Sequence, residues 1–291
     1  MPSLKEVNTL GGELRQALAS GRRVYGICIE GFGQPRWPAL FAQLGLDFVF
    51  LDNEHTPLGR EACAWAAQAY AAHGTAPLLR IPEPSSPHAA MALDSGAHGV
   101  IVPYVESADE VRELVSAVKY RPLKGAALRT VLAKGEFPSP DTAPYLENFN
   151  ADSVLIIMVE SAAGVANLAD MLSIGGVDGV LVGPHDFSVS HGVPEDFDHP
   201  TFEWAVRQVI SLCRENGVGV GVHHIAGSLE RERRWIEWGC NFIVHKSDTV
   251  FIAEGICNEL LTLRQSLGDG SVPDNLPWPL GPPRGRSLRR W

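Results

Sequence analysis

The sequence is short of several things, and each shortage removes a class of function. It has no basic excess: 24 Lys and Arg against 34 Asp and Glu leave a net charge of −10. That balance argues against nucleic acid or an anionic membrane as the main partner, while a small anionic substrate can still find a local basic pocket. It has few cysteines. Cys28, Cys63, Cys213, Cys240 and Cys257 make five, an odd number, with no CxxC or CxxxC spacing. They read as small buried apolar residues in a reducing, cytoplasmic compartment. No early apolar run follows a basic segment, and none is long enough to span a bilayer. No GxGxxG marks the first turn, which weakens a doubly wound dinucleotide-binding sheet.

What is present is a regular alternation. At 291 residues the chain suits two average domains or one large barrel. After a helix over 4–19, apolar runs fit strands at 23–30, 48–55, 76–82, 98–104, 154–160, 179–184, 218–223 and 241–246. Amphipathic stretches fit helices at 37–44, 57–72, 86–94, 108–119, 161–172, 202–216, 228–238 and 250–267. Continuous apolar strands alternating with helices indicate a parallel closed sheet, so the fold class is α/β, a (β/α)8 TIM barrel over 1–267. Residues 121–141, rich in Gly, Pro, Ser and Lys, read as an inserted loop. The Pro- and Arg-rich tail, 268–291, is expected to be disordered or to lie on a neighbouring subunit.

In such a barrel the carboxyl ends of the strands carry the chemistry. The run Phe48-Val-Phe-Leu-Asp-Asn-Glu-His55 delivers Asp52, Glu54 and His55 to that end, the third strand brings Arg80, the fifth Glu160, and the loop after the sixth Asp186. An Arg between Leu79 and Ile81 needs an anion, either a substrate oxygen or a neighbouring acid in a structural salt bridge. Glu160 and Asp186, from consecutive βα units, suit a hard divalent cation, Mg²⁺ or Mn²⁺ before Co²⁺ or Zn²⁺; helix capping is the alternative. Asp52 three residues before His55 suggests a carboxylate orienting an imidazole for acid–base work.

Several strings carry a resemblance: Leu51-Asp-Asn-Glu-His-Thr-Pro57, Leu79-Arg-Ile-Pro82, Ala92-Leu-Asp-Ser-Gly-Ala97, Val159-Glu-Ser161 and Gly176-Val-Asp-Gly-Val-Leu-Val-Gly-Pro-His-Asp-Phe-Ser188. Over roughly 20–265 the chain resembles the HpcH/HpaI-type class II pyruvate aldolases, which include 4-hydroxy-2-oxoheptanedioate and 2-dehydro-3-deoxyglucarate aldolases. The resemblance implies a metal-dependent carbon–carbon lyase. It would cleave or form 4-hydroxy-2-oxo acids, giving pyruvate (or a close 2-oxo acid) and an aldehyde through a metal-stabilised enolate. It implies Glu160 and Asp186 as metal ligands, Arg80 on the pyruvate oxygens, and His55 with Asp52 as the acid–base pair. Met158, Gly183, Pro184 and His185 fall along the substrate. It also implies a homo-oligomer, a hexamer with exchanged C-terminal helices.

The chain departs from that pattern at the mouth. Met158 stands where these aldolases often have Gln, Gly125-Ala-Ala-Leu128 where they show Gly-x-Arg-Gly, His185 where Ala is usual, and His245-Lys246 where an apolar residue and Gly are usual. Three rivals follow: a condensation such as a siderophore-type citrate synthase on the same scaffold, a Schiff-base aldolase using Lys246, and a non-catalytic 2-oxo-acid binder. His223 and His224 are expected to line the mouth.

Overall fold

The computed structural model describes residues 9–31, 36–223, 225 and 227–269. Eight strands, β1 (Val24–Ile29), β2 (Phe48–Asp52), β3 (Ala76–Arg80), β4 (Gly99–Val102), β5 (Val154–Val159), β6 (Gly179–Val182), β7 (Gly219–Val222) and β8 (Phe242–Ser247), form one parallel sheet in the order β7-β6-β5-β4-β3-β2-β1-β8. Its two ends meet. The Asn241 amide donates to Val220 O (2.9 Å), the Val220 amide donates to Asn241 Oδ1 (2.9 Å), and Gly221 leaves so little room beside Phe242 that a Cβ would lie 1.8 Å from that residue's carbonyl oxygen. The fold is a (β/α)8 barrel.

The helices lie between the strands. They are α1 (Leu10–Ser20), α2 (Arg36–Phe41), α3 (Arg60–Ala72), α4 (Ser86–Asp94), α5 (Ala108–Lys119), α6 (Gly125–Lys134), α7 (Thr142–Phe149), α8 (Ala162–Ser173), α9 (Pro184–Ser190), α10 (Pro200–Glu215), α11 (Leu229–Trp238) and α12 (Asp248–Leu267). The expected inserted loop at 121–141 is a correction: its middle ten residues are α6, with α7 beginning just after. Gly125 opens the first and Gly135 closes it in the left-handed conformation, so the glycines that looked like loop signals are helix punctuation. The loop after β6 likewise contains α9, with Pro184 at its first turn. β2 ends at Asp52, three residues short of the expected end, because Asp52 turns its carboxylate back onto the amides of Glu54 and His55.

Alternation along each strand divides the core in two. Residues facing inward, among them Cys28, Phe48, Phe50, Leu78, Ile101, Ile156, Met158, Leu181 and Phe242, pack inside the barrel, and α1 plugs its lower end with Leu14, Ala17 and Leu18. Phe48 and Phe242 stack there with ring centroids 4.6 Å apart; truncating either to Ala would cost about 3–5 kcal/mol. The residues between them, such as Val49, Leu51, Leu79, Val100, Ile157 and Val182, face the helices in a second, larger cluster. Stepping two residues on from Phe50, Leu78, Met158 and Leu181 brings the chain to Asp52, Arg80, Glu160 and Gly183. The parity that builds the core therefore aims these positions at the upper mouth.

Candidate active site

Asp52 and Arg80 are register partners across β2 and β3. Arg80 Nε donates to Asp52 Oδ1 at 2.8 Å, with the two side chains 6% and 0% exposed. The same oxygen accepts from the amides of Glu54 (3.0 Å) and His55 (3.4 Å), and the other, Oδ2, is buried with no hydrogen-bond partner. Burial works against the Asp52 charge. The Arg80 hydrogen bond and charge, with the Glu54 amide, outweigh it and hold the carboxyl below the usual range. Arg80 itself lies 5.0 Å over the Phe50 ring.

The expected Asp52–His55 dyad is therefore not formed by the side chains. The His55 ring is nearly half exposed, and its Nε2 lies 3.6 Å from Glu54 Oε2. That same Glu54 oxygen lies 3.1 Å from Arg80 Nη1. The salt-bridge alternative for Arg80 holds at its inner nitrogen, while its outer one faces a carboxylate nearer the solvent. Glu54 is the member of the group that sequence reasoning left without a role, although it stands inside the Asp-x-Glu-His string.

Glu160 is freed from capping by its neighbour. Ser161 is the N-cap of α8, its hydroxyl accepting the Gly164 amide and donating to Glu106. Glu160 Oε2 instead accepts the amide of Tyr104 at 2.9 Å, and Tyr104 is held at φ 51°, a left-handed backbone rare for an aromatic residue. The Glu160 carboxyl is pushed up to about 7, first by burial, against the Tyr104 amide, and further by the charges of Glu54 and Asp186. Asp186 lies in the first turn of α9, whose N-cap, Gly183, receives no side-chain cap. Tyr104 was missed in the sequence; its phenol is raised by burial and then by Asp186, Glu160, Glu106 and Glu54, so it borders the same acids.

The donor set fits a divalent cation. The Asp186 charge adds to the cost of ionising Glu160, which a cation beside them would relieve. Gly183 keeps the space open: a Cβ there would sit 2.2 Å from Glu160 Oε1. Among the described residues no group of three or more His, Cys, Asp or Glu converges as a complete metal cage. Two carboxylates with water and substrate oxygens are how Mg²⁺ or Mn²⁺ is commonly held.

The other expected site residues fall into two groups. Pro184 and His185 open α9 beside Asp186, with His185 Nδ1 3.2 Å from Glu195 Oε1. Met158 lies one layer beneath Glu160, 1% exposed inside the barrel, and so forms the floor rather than a wall touching substrate. Lys246 is drawn away by a register shift between β1 and β8, with φ 56°, and its Nζ donates to both Glu254 oxygens at 2.8 Å. His245 pairs with Glu232 at 2.6 Å. His223 is buried with its ring 5.1 Å from Phe50, and His224 lies outside the described residues. A cavity of about 40 Å³ lined by Asn53, Arg60, Cys63, Leu79 and Ile81 sits behind β2 and β3, on the helix side of the sheet.

This geometry meets the comparisons. The family model described as HpcH/HpaI aldolase/citrate lyase matches residues 34–253. The chain belongs to the HpcH/HpaI aldolase family. It is 29% identical over 262 residues to a hydroxypyruvate/pyruvate aldolase of Roseovarius nubinhibens, covering 89% of this chain and 97% of that one. It is 30% identical over 223 residues to a 2-keto-3-deoxy-L-rhamnonate aldolase of Escherichia coli O157:H7, covering 75% and 81%. Among solved structures, citrate synthase SbnG matches with a TM-score of 0.73 and 25% identity over 88% of this chain and 99% of the other. As an HpcH/HpaI protein with aldolase-named relatives, the chain is an enzyme of the carbon–carbon lyase class. No described helix is long and apolar enough to cross a membrane.

Proposed function

We propose that this chain is a divalent-cation-dependent aldolase that cleaves or forms 4-hydroxy-2-oxo acids, yielding pyruvate or a close 2-oxo acid and an aldehyde. What supports the reading is that Glu160 Oε1 lies against the side-chain-free Gly183, which caps the helix carrying Asp186, and that the Asp186 charge is felt at Glu160. A cation held there, Mg²⁺ or Mn²⁺ by the hardness of the donors, supplies Lewis-acid polarisation of the substrate oxygens. Arg80 turns its outer guanidinium nitrogen to the oxo-acid oxygens, where negative charge grows as the carbon–carbon bond breaks. Asp52 keeps that guanidinium in place from below. His55, exposed at the rim, takes and returns the proton of the aldehyde-derived hydroxyl. Pro184 and His185 border the path of the aldehyde.

The test is exchange of pyruvate methyl protons in D₂O. Exchange that stops with EDTA and in Glu160→Gln supports the reading; exchange indifferent to both refutes it. A second reading, a condensation on the same scaffold, is supported by the likeness to citrate synthase SbnG. Release of free CoA from acetyl-CoA and oxaloacetate, measured against pyruvate release from 4-hydroxy-2-oxo acids, separates the two.

We also infer a homo-oligomer in the cytoplasm. Of the 20 residues of α12 only Asp248 and Val250 are buried, while Ile252, Ile256, Leu260, Leu263 and Leu267 form an exposed apolar stripe at helical spacing. All five cysteines are free, as a reducing compartment keeps them.

A further inference from the structure

One carboxylate oxygen in the mouth has two claimants. Glu54 Oε2 is 3.1 Å from Arg80 Nη1 and 3.6 Å from His55 Nε2. We propose that Glu54 is a positioning residue that passes this oxygen from Arg80 to His55 when an oxo acid arrives, so that the base gains its carboxylate partner only with substrate in place. The inference rests on the aldolase reading, in which Arg80 receives the substrate oxygens.

The argument begins with what Asp52 cannot do. Its Oδ1 already accepts from Arg80 Nε and from two amides, its side chain is fully buried, and Oδ2 faces no donor. Turning Oδ1 to the imidazole would break the pair with Arg80 and leave a buried guanidinium uncompensated, which costs more than the new contact would return. Glu54 is the carboxylate within reach of the ring. Its side chain is 20% exposed against 6% for Arg80, so it covers the solvent side of the guanidinium, the side from which a substrate approaches.

An anionic substrate that binds Arg80 Nη1 competes with Glu54 for it. The displaced carboxylate still carries its charge in a setting that disfavours it: burial raises its pKa, Asp52 and Asp186 add to that, and only Arg80 and His55 oppose them. With Arg80 engaged elsewhere, His55 is the side chain left that favours its charge. A carboxylate closing on the imidazole stabilises its protonated form, which the ring enters when it accepts the hydroxyl proton. No bond forms or breaks in this handover; one ion pair replaces another.

The experiment uses Mg²⁺-loaded protein, with oxamate as an unreactive oxo-acid probe, and the variant Glu54→Gln. Removing the internal competitor should tighten oxamate binding about fivefold, the scale of a partly exposed ion pair. The same change should slow pyruvate methyl-proton exchange on the order of tenfold or more, since the base loses its partner. A residue that merely supports the fold would weaken binding and exchange together. Oxamate bound no more tightly by E54Q, or exchange at the wild-type rate, overturns the proposal. If wild-type protein shows no cation-dependent exchange, the aldolase reading fails, and the oxamate comparison still decides whether Glu54 competes for Arg80. If E54Q does not fold, the wild-type His55 ring resonance, assigned with H55N, carries the test: it should move toward the imidazolium position on adding oxamate, and an unmoved resonance overturns the idea.

Discussion

Arg80 Nε and Asp52 Oδ1 meet at 2.8 Å between residues that are register partners on adjacent strands, both closed to solvent. This pair fixes the guanidinium from beneath and leaves its outer nitrogen to the mouth. Removing one member strands the other. Asp52→Ala should destabilise the protein by about 3 kcal/mol or more, read as a lower denaturation midpoint, because a buried charge loses its counter-charge. The pH dependence follows from the lowered Asp52 pKa: its contribution is present above the ordinary carboxylate range and is lost as pH falls through the folded-state value. Urea midpoints measured from neutral pH into acid should therefore fall less steeply for Asp52→Asn than for wild type.

Glu160 has the opposite sign. Its folded-state pKa of about 7 lies above that of an unfolded-chain glutamate, so the cation-free protein loses stability as pH rises from the acid range to neutrality. Glu160→Gln removes that loss and should be the more stable form above pH 7 when no cation is present. A cation must displace the proton below that pH. Calorimetric Mn²⁺ affinity should fall by about tenfold per pH unit on the acid side and level off above.

Gly183→Ala places a methyl group 2.2 Å from Glu160 Oε1, closer than the two atoms can approach. The carboxylate must move, and Mn²⁺ affinity should drop on the order of tenfold while the melting temperature changes little, since loss of one ligand geometry costs binding more than packing. Unchanged affinity would place the cation elsewhere.

Lys246 is held by Glu254 through two 2.8 Å contacts. Borohydride added with pyruvate should leave no adduct detectable by mass spectrometry, and Lys246→Met should keep EDTA-sensitive exchange within about tenfold of wild type. A trapped imine at Lys246 would revive the Schiff-base reading.

The apolar stripe of α12 predicts assembly. Leu260→Glu, at a position 47% exposed in the single chain, should shift the protein to smaller species in sedimentation, because a charge enters a surface that association would bury.

Much of this was legible from the residues alone. Apolar runs alternating with helical stretches specify a parallel barrel, because a strand buried on both faces and a helix with one apolar stripe have few other ways to be covered. The period of two then carries Asp52, Arg80 and Glu160 to one end. Less legible were the helices α6 and α7, whose glycines and prolines serve as caps and starts rather than breaks.

What the linear order could not settle was which oxygen faces which nitrogen. Asp52 and His55 are three residues apart and looked like partners, yet β3 brings the Arg80 guanidinium closer to that carboxylate than the chain itself brings the imidazole. Lys246 looked like a group at the mouth until the register shift in β8 turned it to Glu254. Sequence determines which face a residue takes, because strand parity is local. The choice among competing charges within a few ångströms is made by strand pairing and burial, which exist only once the barrel has closed.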